Sequence, residues 1–305
     1  MNMPLGYDKP LYLLPFDHRA TFKKELFGIE GEPSPAAREE IRTYKRLVYE
    51  ALKEALRLGV PREGAALLVD EEYGADIIRD AHILGLTTCL TVEKSGKDEF
   101  EFEYGNEFGA HVKRLNPVFA KALVRYNPEG DKELNARQRG KLALFSAFCR
   151  KEGYKLLLEP LVHPTHEHLI AVTGERNRFD RELRPGLTLA MMRELQDAGI
   201  EPDVWKLEGM EERGNYAKIV AIARNSKARA MVGTIILGRG EGRREVETWL
   251  RAGRGVDGII GFAVGRTVFL EPLRDFKAKR LGEREVIRVM AENYRHFYDI
   301  FVGKS

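Results

Sequence analysis

Residues 202–210 read PDVWKLEGM, a short apolar run with one lysine and one glutamate set into it. Side chains alternate across a strand, so Val204, Lys206 and Glu208 share one face while Asp203, Trp205 and Leu207 share the other. Trp205 and Leu207 suit packing against helices, which turns Lys206 to the opposite side of the sheet. Lysine is rarely buried, and an unpaired ammonium there is costly. Lys206 is therefore either a surface residue beside an edge strand or an amine held inside a site.

The rest of the chain decides between these. Seven further segments share the design, apolar in the first half and ending in polar residues, glycine or proline. They are LYLLPFDHR (11–19), AALLVDEEYG (65–74), TTCLTVEKSG (87–96), FAKALVRYNP (119–128), YKLLLEPLVHP (154–164), ARAMVGTIILG (228–238) and VDGIIGFAVGR (256–266). Helical patterns lie between them, most clearly over 36–58, 132–152, 187–199 and 213–225. A long terminal helix is predicted over 283–302, with Val286, Ile287, Val289, Met290, Tyr294 and Phe297 at helical spacing. Eight strands alternating with helices predict an α/β protein with a parallel sheet, specifically one TIM (β/α)8 barrel spanning 1–305. The rival, a doubly wound open sheet, favours a glycine-rich turn after the first strand, where this chain has Asp17-His18-Arg19. With Tyr294, Phe297, Tyr298 and Phe301, the terminal helix is expected to close the barrel bottom; a homo-oligomer interface is the other use of that face.

Composition narrows the function classes. Net charge is +3, too small to point to nucleic acid. Over 239–284 basic residues outnumber acidic ones eleven to seven, which reads as a solvated helical surface or a local anion site. Cys89 and Cys149 sit in apolar settings without metal or disulfide spacing. There is no cationic leader followed by an apolar run, and no apolar stretch of the roughly 20 residues a bilayer requires. A cytoplasmic protein without nucleic-acid or membrane partners is expected. His163, His166 and His168 (HPTHEH) do not match usual ligand spacing, so no metal and no cofactor are expected.

Catalytic groups of a TIM barrel sit at the C-terminal strand ends. Here those ends carry Asp17 and Arg19, Asp70 and Glu71, Glu93 and Lys94, Glu159, and Lys206 with Glu208. Lys121, among apolar neighbours early in the fourth strand, is either a snorkelling lysine or a second lysine converging on Lys206. Two converging lysines would depress each other's pKa, and burial would push the same way. The resulting neutral amine can attack a carbonyl and form a Schiff base, with Glu159 and Asp17 balancing charge and moving protons. The seventh strand ends in Gly238-Arg239-Gly240 and the eighth in Gly265-Arg266, where this fold binds phosphate through backbone N–H groups and a helix N-terminus. Gly265 would let the backbone approach a phosphate, and Arg266 can contact it bidentately.

Seven motifs in order, DHR (17–19), LLVDEEYG (67–74), VEKSG (92–96), KALVRYNPEGD (121–131), LLLEPLV (156–162), DVWKLEG (203–209) and GFAVGRTVFLE (261–271), resemble Schiff-base aldolases similar to tagatose-1,6-bisphosphate aldolase. The resemblance is closest to a branch linked to inositol catabolism, in which such a domain is sometimes fused to a sugar kinase. It implies Lys206 as the Schiff-base lysine, Glu159 as the acid/base carboxylate, Lys121 as the second lysine and Asp17 as the aspartate ending the first strand. Gly265 and Arg266 match the phosphate-binding end, and Arg19, Gly238 and Arg239 complete the expected substrate-binding set. The implied function is a metal-independent class I aldolase for a phosphorylated keto sugar or keto acid, first of all 2-deoxy-5-keto-gluconate 6-phosphate. That substrate would yield dihydroxyacetone phosphate and malonate semialdehyde. Tagatose bisphosphate or a sulfonated ketose is the alternative substrate, and a non-catalytic sugar-phosphate-binding barrel the alternative class. Two departures bear on the substrate: His18 stands where the tagatose enzymes tend to carry glutamine, and Gly209 replaces a bulkier residue.

Overall fold

In the computed structural model, which describes residues 4–304, eight parallel strands close into one barrel in sequence order. They are β1 (Leu11–Pro15), β2 (Ala65–Val69), β3 (Thr87–Thr91), β4 (Phe119–Arg125), β5 (Lys155–Leu161), β6 (Val204–Glu208), β7 (Gly233–Leu237) and β8 (Ile259–Ala263). Pairing of β1 with β8, Leu13 opposite Ala263, completes the closure. The TIM barrel read from the sequence is the fold observed. Each strand lies inside its expected segment and is shorter, because the polar residues after the apolar half leave the sheet for the loops. In the second segment Asp70 already caps the helix Glu71–Ile83, accepting from the Tyr73 amide at 2.9 Å.

Alternation along the strands builds two apolar layers. Leu11, Leu13, Ala66, Leu68, Cys89, Phe119, Leu157, Val204, Ile235 and Ala263 form one cluster inside the barrel. Tyr12, Leu14, Leu67, Leu156, Leu158, Trp205 and Leu207 belong to the larger cluster between sheet and helices. Lys206 therefore faces inward with Val204, one rung above the apolar interior, while Trp205 is buried against the helices. The dry interior layer supports the polar rung above it at the C-terminal mouth.

The outer helices follow the sequence signals. Pro35–Arg57 starts with Pro at its first position behind Ser34, whose hydroxyl accepts from the Ala37 amide at 3.2 Å. The terminal helix Glu283–Val302 occupies another place than expected. It packs against helices 35–57 and 266–277 on the outside, and the Tyr294 hydroxyl donates to the Tyr12 carbonyl at 2.5 Å. Its aromatic stripe fills the groove between the first and last helices of the ring, which offers a long apolar surface. The barrel bottom takes the N-terminal segment instead: Tyr7 packs on the interior cluster, edge-on to Phe119 at 5.0 Å, and Gly6 bridges Met231. Among the described residues, no helix is long and apolar enough to cross a membrane.

Candidate active site

Strand register sets the site. Leu123 on β4 aligns with Glu159 on β5, and Leu157 aligns with Val204 on β6, so Glu159 and Lys206 stand at one level. Lys121 lies one rung below on β4, aligned with Thr91, and its side chain rises into the same layer. Asp17 and Glu93 arrive from the loops two residues past β1 and β3. All five are buried. They line a cleft, open at the mouth, which extends past His18 and Arg19 to Lys94, Lys97 and Arg125.

Lys121 is the hub of this layer. Its Nζ lies 2.9 Å from Asp17 Oδ2 and 3.0 Å from Glu159 Oε2, and it also donates to Glu93 Oε1. Lys206 Nζ lies 2.8 Å from the same Glu159 Oε2. Burial disfavours the charge on Lys121, yet Asp17, Glu159 and Glu93 outweigh it and hold its pKa well above the ordinary lysine value. The two lysines do converge, but the mutual depression expected for both is overturned for Lys121: three carboxylates in contact overcome one like charge and the burial. Burial raises the carboxyl pKa of Asp17, but Lys121, His18 and Lys206 prevail and keep it well below the usual range. Glu159 is lowered too: burial opposes its charge, while Lys121 and Lys206 together outweigh it.

The imidazole of His18 stands beside this layer, its Nδ1 4.0 Å from Asp17 Oδ1 and otherwise unpartnered. Burial, reinforced by Arg266 and Lys206 against the pull of Asp17, moves its pKa down to about 4. The ring is thus neutral near pH 7. Arg19 points under the 93–104 loop, donating to the Glu93 carbonyl and to the Glu103 carboxylate.

The residues expected to bind phosphate lie at the adjoining ends of β7 and β8, outside the lining of that cleft. Arg239 has a positive φ of 57°, uncommon for a non-glycine residue. Its guanidinium pairs with Glu208 at 2.9 Å, Asp180 at 3.0 Å and Glu241 at 3.0 Å. Arg266 donates to the Arg239 carbonyl at 2.5 Å and lies 3.5 Å from Glu25. Gly265 caps the helix Arg266–Lys277, and a Cβ there would lie 2.1 Å from the Pro15 carbonyl oxygen, so close approach to β1 already requires glycine. The Gly238 amide donates to the Ala263 carbonyl at 3.0 Å, tying β7 to β8. Gly209 has a packing reason as well: the Trp249 ring occupies the place of its missing side chain.

Other charged strand ends have structural partners. Asp70 pairs with the fully buried Lys45, and Glu71 with His111 at 2.8 Å. Glu208 accepts from the Val162 amide at 2.9 Å besides pairing with Arg239. His168 lies 2.8 Å from Glu129 and accepts from the Thr165 amide at 3.1 Å, so the histidine run closes a helix start. Among the described residues, no group of three His, Cys, Asp or Glu side chains is set to hold a metal. Glu93 is the member of the buried layer that the sequence reading left unassigned. Its signal was its place after the third strand in VEKSG, shared with Lys94, which is exposed at the rim of the cleft.

Fold and geometry together define a TIM barrel with two lysines and three carboxylates buried at the strand ends. The chain belongs to the family described as an uncharacterized protein conserved in bacteria (DUF2090), whose pattern matches residues 6–304. It is 26% identical over 200 residues to a tagatose 1,6-diphosphate aldolase of Listeria monocytogenes serotype 4b (strain CLIP80459), covering 64% of this chain and 54% of that one. The tagatose 1,6-diphosphate aldolase of Listeria innocua serovar 6a matches equally, at 26% over 200 residues with the same coverage. The chain thus spans about half the length of the curated relatives it matches. Among solved structures, fructose-bisphosphate aldolase from Plasmodium falciparum superposes with a TM-score of 0.68 at 15% identity, covering 98% of this chain and 92% of that one. Cgl0159 from Corynebacterium glutamicum superposes with a TM-score of 0.58 at 18% identity, covering 97% and 88%. Both likenesses are of fold.

Proposed function

We propose that this protein is a class I aldolase that cleaves a phosphorylated keto sugar or keto acid through a Schiff base on Lys206. The observation that carries the reading is Lys206 Nζ at 2.8 Å from Glu159, in a buried layer that also holds Lys121 and Asp17. Glu159 takes a proton from Lys206, the amine attacks the substrate ketone, and dehydration gives an iminium. The hydroxyl on the carbon two bonds from the iminium carbon then loses its proton to a carboxylate of the layer. The bond between that carbon and the α-carbon breaks to release an aldehyde, and the iminium accepts the electron pair as an enamine. Protonation at carbon and hydrolysis free the ketone product and Lys206, so the iminium serves as the electron sink. Lys121, held as ammonium, and Asp17 orient the substrate hydroxyls. Gly265 and Arg266, with Gly238 beside them, take the phosphate of a dihydroxyacetone phosphate product, while Arg239, paired with Glu208, Asp180 and Glu241, supports Arg266 through its carbonyl. The names of the Listeria relatives support the aldolase class.

The first substrate is 2-deoxy-5-keto-gluconate 6-phosphate, from the resemblance to the inositol-catabolism branch. A second reading, tagatose 1,6-bisphosphate, is favoured by what the Listeria relatives are called. Both substrates place an anionic group at the end away from the phosphate that stays on dihydroxyacetone phosphate. Lys94, Lys97 and Arg125 line that side of the cleft, and neither lysine is ion-paired among the described residues. A cleavage assay that follows dihydroxyacetone phosphate from each substrate tests the proposal. Turnover of either supports an aldolase and ranks the two, whereas no release from either or from a panel of phosphorylated ketoses refutes it. The protein would then work in the cytoplasm on a small sugar phosphate, whether alone or as a homo-oligomer.

A further inference from the structure

In the buried layer the partners of the two lysines are divided unequally. Lys121 Nζ touches Asp17, Glu93 and Glu159, whereas the carboxylate that Lys206 Nζ touches is Glu159. Both lysines meet Glu159 at the same oxygen, Oε2. Among the described residues, Glu93 Oε1 meets Lys121 alone, and its other oxygen accepts from the Leu123 amide at 3.2 Å, which fixes the side chain in place. Resting on the Schiff-base reading above, we infer that Glu93 is a positioning residue that holds Lys121 as an ammonium ion, so that Glu159 stays free to exchange protons with Lys206.

Proton bookkeeping shows why this matters. Lys206 becomes a nucleophile when its ammonium gives one proton to the Glu159 carboxylate, leaving an amine and a carboxylic acid. The amine nitrogen then bonds to the ketone carbon and passes one proton to the former carbonyl oxygen. Glu159 returns its proton to that hydroxyl, the C–O bond breaks and water leaves, and the iminium keeps the last N–H. Both transfers need Glu159 to act as a base and then as an acid. An ammonium 3.0 Å from its Oε2 weakens it as a base. Glu93 and Asp17 neutralise that ammonium from the other sides. Without the Glu93 charge, Glu159 becomes a principal counter-ion of Lys121 and a poorer proton acceptor for Lys206.

The test measures the rate of borohydride-trapped adduct formation with dihydroxyacetone phosphate, as a function of pH, in the unmodified protein, Glu93→Gln and Glu93→Asp. Glu93→Gln keeps an acceptor for the Leu123 amide but removes the charge. It should lower the plateau rate about tenfold, a fraction of a general acid–base contribution, and move the acid limb to lower pH. Glu93→Asp restores the charge and should bring plateau and limb back toward the unmodified protein. In the unmodified protein, 15N NMR of the lysine side chains should show Lys121 losing its proton above the ordinary lysine value of about 10.4, which does not depend on any variant folding. An adduct in the unmodified protein with an unchanged plateau and limb in Glu93→Gln overturns the inference. So does Glu93→Asp falling as far as Glu93→Gln, or Lys121 losing its proton at or below the ordinary lysine value of about 10.4. Absence of any Lys206 adduct in the unmodified protein refutes the Schiff-base reading itself, and this inference with it.

Discussion

Replacing Lys121 with methionine should unfold the logic of the buried layer. Lys121→Met keeps the volume and removes the cation that Asp17, Glu93 and Glu159 share, leaving Lys206 as the remaining ammonium in contact with Glu159. Breaking a buried ion pair by removing one partner costs about 3–5 kcal/mol, because the other charge stays buried without compensation. That is a large fraction of the about 5–15 kcal/mol by which a domain is stable. The sign of the pH dependence follows from the carboxylates. In the unmodified protein Asp17 and Glu159 titrate below their ordinary values, so their stabilisation is present above about pH 4 and is lost as pH falls through the lowered values. In the variant, burial without a cation raises those values above the unfolded ones, so a penalty grows as pH rises. The gap between the two proteins should therefore be widest near pH 8 and narrow near pH 4.5. Urea unfolding at both pH values measures it, with Lys97→Met on the exposed rim as a control expected within about 0.5 kcal/mol of the parent. A gap under about 1 kcal/mol at pH 8, or one of equal size at both pH values, would refute the central placement of Lys121.

His18 should titrate near 4 by proton NMR, far below the ordinary histidine value, and a midpoint above about 6 would contradict its half-buried place near Arg266 and Lys206. His18→Gln should change the ratio of kcat/KM between 2-deoxy-5-keto-gluconate 6-phosphate and tagatose 1,6-bisphosphate while leaving adduct formation intact; an unchanged ratio removes His18 from substrate selection. Gly265→Ala should cost about 1–3 kcal/mol of stability, since its Cβ would lie 2.1 Å from the Pro15 carbonyl oxygen. Gly140→Ala, inside the helix Lys132–Glu152 with open space around it, should instead stabilise by about 0.5–1 kcal/mol; equal effects of the two in thermal melts would contradict the packing at Gly265.

The barrel was legible because short apolar runs ending in polar residues, glycine or proline repeat eight times between helical patterns, and alternation along β6 turned Lys206 inward. The meeting of Glu159 and Asp17 with Lys206 followed from placing strand ends at one mouth, whereas Lys121, early in β4, was left open by its position and assigned by the resemblance alone. Glu93 was not legible as a partner of Lys121, since Glu93 and Lys94 are equivalent in composition and only the turn after β3 aims one inward. The charge state of Lys121 also depends on that third carboxylate, so counting two lysines gave the wrong direction. Arg239 reads as a phosphate ligand by position, yet Asp180 reaches it from the helical turn Phe179–Leu183 between β5 and β6, across 59 residues of sequence. The terminal helix shows the same limit: its aromatic stripe signals burial, but which groove it fills depends on the completed ring of helices.

The most direct measurement is borohydride reduction of the protein with dihydroxyacetone phosphate, followed by peptide mass mapping. Lys206 should carry the reduced adduct, and Lys206→Arg should carry none and lose cleavage. An adduct on Lys121, or full cleavage activity in Lys206→Arg, would contradict the assignment of Lys206 as the Schiff-base lysine.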